Sequence, residues 1–276
     1  MPPRRLRLDA ELVRRGAARS REQASALIAA GRVSVNGGVA AKPATGVATD
    51  ADIVVREDPN RPDYVSRGGH KLAGALADFG LEVEGRRCLD AGASTGGFTD
   101  VLLRAGAAEV VAVDVGYGQL AWPIRQHPRV RVHDRTNVRS LTSELIGGAV
   151  DVVVGDLSFI SLELVLDALL AVTRVDGDLA LMVKPQFEVG RDKLGKGGVV
   201  RDPGHRTEAV EKVVSAAERR GWGAVAASVS PLPGPAGNVE FFVWLRHGPR
   251  TLDAGKVAEV VHRSPDQGIP GEKVGP

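Results

Sequence analysis

The stretch Cys88-Leu89-Asp90-Ala91-Gly92-Ala93-Ser94-Thr95-Gly96-Gly97-Phe98-Thr99, followed by Val110-Val111-Ala112-Val113-Asp114, decides the fold of this chain. An apolar run ends in an acid, passes through a glycine-rich turn and opens a helix. A second apolar run then ends in another acid. That order is the first half of a doubly wound α/β unit with a nucleoside-sized ligand at its switch point. The spacing is not the dinucleotide fingerprint, because Gly92 and Gly96 stand four apart and Gly97 adjoins the second. Gly92 lets the backbone turn sharply off the strand and admits a ligand closely; Gly96 and Gly97 clear space at the helix start. No Lys-Ser or Lys-Thr follows, which argues against a P-loop. A pyrophosphate would not suit Asp90 at the strand end, whereas a ligand with a cationic amino-acid end would. Asp114 suits a ribose diol through its two acceptor oxygens. S-adenosylmethionine has both parts. The site expected for it has Asp90 and Gly92 at the methionine end, Ser94, Gly96 and Gly97 at the turn, Asp114 at the ribose and Asp134 near the adenine. A Rossmann-like turn that binds nothing is the alternative.

The 276 residues fit one large domain or two ordinary ones, and a hydrophobic content of 43% is that of a globular protein. Net charge is only +2, but it is unevenly spread. Met1 to Asp50 holds nine Arg or Lys against four Asp or Glu. A small basic unit implies a polyanion partner; ordinary charge scatter on a solvated surface competes with that reading. One cysteine excludes a disulfide framework and cannot build a metal cluster, so no metal is expected. Cys88 lies in an apolar strand and reads as an inert core thiol. No uninterrupted apolar run reaches membrane-spanning length, and the Arg-rich start lacks an apolar signal core, so the cytoplasm is the expected location.

Leu8 to Arg15 reads as a short helix with Leu8, Leu12 and Val13 inward. Ser20 caps a second helix, with Gln23 as capping-box partner, and that helix stops at Gly31. Val33-Ser34-Val35-Asn36-Gly37-Gly38-Val39 alternates around Asn-Gly, a hairpin signal, and a last strand falls near Asp52–Val55. This order resembles the S4 RNA-binding domain, through Leu6-Arg7-Leu8-Asp9, Ser20-Arg21-Glu22-Gln23-Ala24 and Ile28-Ala29-Ala30-Gly31-Arg32-Val33-Ser34-Val35-Asn36-Gly37. The resemblance implies docking on structured RNA, with Arg7, Arg15, Arg19, Arg21 and Arg32 as candidate phosphate contacts.

Pro59 and Pro62 mark a linker, and Ser66 or Gly68 starts a helix running to about Phe79. Regular βα alternation follows. Strands are expected near Arg87–Ala91, Val110–Val115, Val130–His133, Val150–Gly155, Leu179–Lys184, Val225–Val229 and Glu240–Leu245. The boundaries expected are 1–58 for the S4-like domain, 59–66 for the linker, 67–248 for the large domain and 249–276 for a tail. One short helix falls near Ala254–Val261, and Ser264–Pro276 reads as disordered.

Four charged residues stand at the ends of elements: Lys71 in the entry helix, Asp156 after the fourth strand, Lys184 ending the fifth and Glu240 starting the seventh. The carboxyl ends of parallel strands face the active crevice, and an antiparallel last strand brings its beginning to the same edge. Each alone also reads as a surface charge capping a strand. Charges amid apolar runs are costly unless paired, which makes the set of four harder to dismiss.

The set resembles the Lys-Asp-Lys-Glu tetrad of the FtsJ/RrmJ-like ribose 2′-O-methyltransferases. With the S4-like module in front, residues 4 to about 246 resemble the TlyA family of rRNA 2′-O-methyltransferases, some members of which carry an older haemolysin name. The motifs are Tyr64-Val65-Ser66-Arg67-Gly68-Gly69-His70-Lys71-Leu72, Asp90 to Thr99, Gly155-Asp156-Leu157-Ser158-Phe159-Ile160-Ser161 and Val183-Lys184-Pro185-Gln186-Phe187-Glu188. The resemblance implies a Rossmann-like seven-stranded S-adenosylmethionine-dependent methyltransferase domain with the last strand antiparallel, behind a small α+β S4-like domain. It implies ribosomal RNA in ribosomal subunits as partner, cytidine as target, and a link to capreomycin-type antibiotic susceptibility.

A ribose hydroxyl is a poor nucleophile until its proton leaves, so the enzyme needs alignment and one base. Lys184 is the candidate base or hydroxyl-orienting group. Asp156 orients Lys184 near the methyl group, and Glu240 positions Lys71 or the ribose. Arg67, four residues before Lys71, shares its helix face and holds a flanking phosphate or an ion pair. A cytosine-C5 enzyme would need a nucleophilic cysteine, and Cys88 is inside a strand. An exocyclic-amine enzyme would show Asn-Pro-Pro-Tyr where this chain has Gly155-Asp156-Leu157-Ser158. The absence of a membrane span or long amphipathic apolar segment argues against a pore-forming haemolysin, and the intact tetrad against an assembly factor with an idle fold.

Overall fold

Short alternations and capped helices build the first part of the chain. The computed structural model describes residues 5–18, 20–56 and 62–263, and the chain divides into two units, Met1–Asp63 and Tyr64–Pro276. Arg19 and the expected tail from Ser264 lie outside the described residues. In the first unit β1 (Arg5–Arg7) runs into α1 (Leu8–Arg14), followed by α2 (Arg21–Ala29). Ser20 Oγ accepts from the Gln23 N–H at 3.1 Å, the N-cap read from the sequence. Strands β2 (Val33–Val35) and β3 (Gly38–Val39) form the hairpin, with Asn36 and Gly37 both at positive φ as a type I′ turn requires. Strand β4 (Gly46–Ala48) pairs with β1, and β5 (Ile53–Val55) pairs with β2. Leu8, Leu12, Ala24, Leu27, Ile28 and Val33 close a small core. Each fully buried leucine there stabilises by roughly 1.5–3 kcal/mol. The β1–β4 pair was not expected, because three-residue strands carry too little alternation to read.

The second unit opens with α3 (Arg67–Phe79) and continues through β6 (Arg87–Ala91), α4 (Gly97–Arg104), β7 (Glu109–Val113), α5 (Trp122–Arg125), β8 (Val130–His133) and β9 (Val150–Gly155). Then come α6 (Leu166–Val172), β10 (Thr173–Val183), α7 (Pro185–Glu188), α8 (Pro203–Glu218), β11 (Trp222–Val229), β12 (Phe241–His247) and α9 (Ala254–His262). The sheet order is β11-β12-β10-β9-β6-β7-β8, with β12 antiparallel to both neighbours. This is the seven-stranded sheet expected. Its strands read as near-continuous apolar runs because both faces are covered. Cys88, Val110, Val152 and Ala180 pack on the side of Leu72 and Leu102, while Leu89, Val111, Val153 and Leu179 pack on the side of Leu166 and Val213.

The largest differences from the reading fall at three boundaries. Strand β10 starts at Thr173 rather than Leu179, since its exposed first part, Arg174–Asp176, lies within a register break and its one apolar residue, Val175, is flanked by charges. Strand β11 starts at Trp222, through a Gly-Ala pair with weak strand propensity. The expected linker gives its last residues to the second unit. Tyr64 packs so closely on Gly69 that no β-carbon would fit there, the Val65 N–H donates to Asp100 Oδ2 at 2.9 Å, and Ser66 is the N-cap position of α3. Among the described residues no helix is long and apolar enough to cross a membrane, and no group of three or more His, Cys, Asp or Glu stands ready to hold a metal ion. Cys88 is buried, and burial pushes its thiol up to about 12.

Candidate active site

The turn after β6 is built by close approach. Gly92 takes φ +86, and a β-carbon there would lie 2.8 Å from the Asp156 carbonyl oxygen, so glycine is required on both counts. The Asp156 N–H donates to Ala91 O at 3.1 Å, tying the end of β9 to the end of β6. The Asp114 carboxylate is fixed at the end of β7 by two backbone donors, Ser94 N–H on Oδ2 at 2.8 Å and Gly116 N–H on Oδ1 at 2.7 Å. Each oxygen retains acceptor capacity for a ribose hydroxyl. Asp134 follows β8 and accepts from Arg125 Nη1 at 2.8 Å, so it stands already paired.

Asp90 is fully buried beneath this turn. Thr99 Oγ1 donates to its Oδ2 at 2.6 Å, while Oδ1 has no hydrogen-bond partner among the described residues. Burial pushes the carboxyl up to about 7; the Thr99 hydrogen bond opposes that and the neighbouring Asp156 charge adds to it. A buried acceptor left without a donor is rare and costly, and an ammonium group would satisfy it. The residues therefore fit S-adenosylmethionine: an orphaned acid for the amino-acid end and a clamped acid for the ribose. Gly96 and Gly97 have a different reason to be glycine. A β-carbon on Gly96 would meet Leu120 at 3.0 Å, and one on Gly97 would meet Ser66 and the Gly69 backbone. The space they clear is filled by the protein's own packing on the start of α4.

The four charged residues form two ion pairs. Lys184 Nζ lies 2.6 Å from Asp156 Oδ1 and donates to Ser158 Oγ at 2.8 Å. Lys71 Nζ donates to Glu240 Oε2 at 2.5 Å, and Glu240 Oε1 is buried with no hydrogen-bond partner among the described residues. Both lysines are buried. Val183 of β10 pairs with Phe241 of β12. One step beyond, Lys184 leaves the first strand and Glu240 precedes the second, so the antiparallel register sets them side by side at the sheet's active edge. Asp156 leaves β9, the next strand over, and α3 supplies Lys71 from above Glu240. Arg67, at the first position of α3, is exposed and has no side-chain partner among the described residues, unlike the buried Lys71 one turn on.

Several residues of this edge went unread in the sequence. Glu188 is buried and accepts from Ser161 Oγ at 2.6 Å and from Leu162 N–H at 2.7 Å, joining the loop after β9 to the turn after β10. Phe159 is 91% exposed with φ +63, its ring centroid 5.2 Å from that of Phe187. A phenylalanine in the left-handed region is strained, and such strain concentrates at functional sites. Both motifs were quoted from the sequence, but nothing in their spacing reveals a contact between them.

In the first unit the candidate arginines separate. Arg7 and Arg21 are exposed and both rest on Asp9. Arg15 binds Glu11 and the carbonyls of Ala51 and Thr49, and Arg32 binds the Arg56 carbonyl and Asp63. These two are joints of the fold, which narrows the expected phosphate surface. Arg14, unforeseen, is exposed and bidentate to Glu11.

Residues 6–53 match the S4 domain and residues 64–247 match the FtsJ-like methyltransferase family. The chain is 57% identical over 266 residues to the 16S/23S rRNA (cytidine-2′-O)-methyltransferase TlyA of Mycobacterium tuberculosis, covering 96% of this chain and 99% of that one. This chain is a methyltransferase of the TlyA family. TlyA-family relatives include a protein named Hemolysin A from Brachyspira hyodysenteriae, 36% identical over 86% of this chain and 98% of that one. A solved Streptococcus thermophilus chain that also carries a hemolysin name superposes with a TM-score of 0.71 at 38% identity, covering 94% of this chain and 95% of that one. The two ion pairs and the glycine turn thus lie in the methyltransferase half of a TlyA-family chain, with the Asp9 arginines in its S4 half.

Proposed function

We propose that this chain methylates the ribose 2′-hydroxyl of cytidine in ribosomal RNA, using S-adenosylmethionine. The observation that carries the reading is the Lys184–Asp156 pair, at the strand edge beside the Lys71–Glu240 pair, with the Asp156 carbonyl against Gly92 of the cofactor turn. The name of the Mycobacterium tuberculosis relative supports the substrate class. When bound, the cofactor supplies a sulfonium leaving group and so an activated methyl. Asp90, Gly92, Ser94 and Asp114 would hold it. Lys184 orients the 2′-hydroxyl and, as the neutral amine, takes its proton as the oxygen gains the methyl, with Asp156 and Ser158 fixing the position of Nζ. The Lys71–Glu240 pair braces the ribose, and Arg67 meets a flanking phosphate. The exposed Phe159 ring offers its face to the target base, as aromatic side chains do for unstacked RNA bases. Arg7 and Arg21 grip RNA phosphates from the S4 unit.

The test is methyl transfer from labelled S-adenosylmethionine to purified 30S and 50S subunits, mapped for position, with Lys184→Ala alongside. Label on a ribose, lost in the variant, is expected; the same loss in cells should lower capreomycin-type susceptibility. Label on a base would overturn the mechanism. RNA binding without label would favour an assembly role.

A further inference from the structure

We propose that Asp9 is a positioning residue for RNA: a buried carboxylate that holds Arg7 and Arg21 side by side as a single phosphate clamp. The inference rests on the reading that the S4 unit binds RNA. The Asp9 side chain is 4% exposed, while those of Arg7 and Arg21 are 51% and 60% exposed. Arg7 grips the acid with both arms of its fork, Nε on Oδ1 at 3.1 Å and Nη2 on Oδ2 at 2.8 Å. Arg21 Nη2 meets the same Oδ2 at 3.0 Å. Two guanidinium nitrogens on one oxygen cannot stand further apart than the two bonds laid end to end. The acid itself is anchored, because its Oδ1 also accepts the Ala10 N–H at 2.8 Å at the start of α1.

Each guanidinium carries five N–H donors. Arg7 uses two on Asp9 and Arg21 uses one, so most of their donors remain for a second anion. A phosphate takes planar, bidentate donors well. An arginine already held loses less freedom on binding than one on a loose stem. Arg7 holds the Asp9 carboxyl well below the usual carboxylate range, with burial opposing and Arg21 assisting, so the clamp is intact at neutral pH. Glu11, two residues along, makes the contrast: one of its two arginines, Arg15, is tied down to the carbonyls of Ala51 and Thr49. Glu11 anchors the fold, whereas both arginines on Asp9 still face solvent.

The proposal carries a sign that simple electrostatics does not. Removing an acid from a surface that binds a polyanion ordinarily tightens binding. Here it should weaken it, because the arginines lose their seat. The experiment titrates the full-length chain against purified ribosomal subunits over a salt series, using wild type, Asp9→Asn, Arg7→Lys, the Arg7→Ala/Arg21→Ala double variant and the triple variant that adds Asp9→Asn. Asparagine keeps an acceptor for the Ala10 N–H.

Asp9→Asn should weaken binding several-fold and lower the salt slope by about one phosphate contact. Arg7→Lys, which keeps the charge and loses the fork, should weaken it similarly. In the double-arginine background the added Asp9→Asn should no longer weaken binding, which a merely unfolded S4 unit would not produce. If Asp9→Asn binds as well as wild type while the double-arginine variant is impaired, the positioning role is overturned and the RNA-binding reading stands. If the double-arginine variant binds like wild type, Arg7 and Arg21 do not contact RNA and both fall.

Discussion

Both units of this chain seat cations on acids, but the cations are buried in one and exposed in the other. In the methyltransferase unit the Lys71 and Lys184 side chains are each 9% exposed. In the S4 unit the acid is sunk and the arginines stand in solvent. A buried lysine costs several kcal/mol unless paired, so it persists where one nitrogen must meet one reacting atom. An exposed arginine on a buried acid costs little and leaves a row of donors facing outward. Asp90 is the third case, a buried acid with no cation paired to it among the described residues. On the proposed reading, reaction, RNA binding and cofactor capture are separated by whether the cation is buried, exposed or absent.

The sharpest way to break this comparison is Lys184→Ala. Methyl transfer should fall by about 10²–10⁴-fold, the range for loss of a positioned proton-transfer group, while equilibrium dialysis shows cofactor still bound. Near-normal turnover would make the buried pair structural. Next is Glu240→Ala, which strands Lys71 in the interior. Calorimetry should show the second unit less stable by about 3–5 kcal/mol, and an unchanged transition would mean that Lys71 reaches water.

The third prediction concerns Asp90. Its folded value of about 7 lies above the ordinary ~3.9 of an unfolded aspartate. Between those values the native state binds the proton and the unfolded state does not. Its stabilising contribution is full below about pH 4 and is lost as pH rises through 7. Asp90→Asn should therefore raise the melting temperature relative to wild type at pH 8 more than at pH 5. Equal shifts at both pH values would show that the carboxyl is solvated. The smallest effect is Phe159→Gly, which relieves the left-handed strain by about 1 kcal/mol and removes the exposed ring. The variant should melt slightly higher and methylate subunits more slowly; undiminished activity would leave the ring without a role.

The doubly wound core was legible because its strands end in chemistry: Asp90, Asp114, Asp156 and Lys184 each terminate an apolar run. Glu240 was legible because the last strand runs backward. The turn Asn36-Gly37 and the cap Ser20 announced themselves through backbone requirements that few residues meet. What escaped depends on contacts across the chain. Arg15 and Arg32 look like free charges until Ala51, Thr49, Arg56 and Asp63 fold against them. Gly96 and Gly97 read as ligand glycines; the φ of +94 at Gly96 and the close packing of Leu120 and Ser66 are further demands for glycine that the sequence does not announce. Phe159 is apolar, and only the folded loop shows that it stands in solvent rather than in the core.

The Glu188 clasp has a consequence for anyone who would rebuild this enzyme. Because Glu188 receives both Ser161 and Leu162, the segment carrying Asp156, Ser158 and Phe159 cannot be exchanged independently of the one carrying Lys184 and Phe187. The two loops are one cassette, separated in sequence by a helix and a strand. Chimeras that import either loop alone should inherit a mismatched seam, whereas those that import both should transplant the joined edge at once.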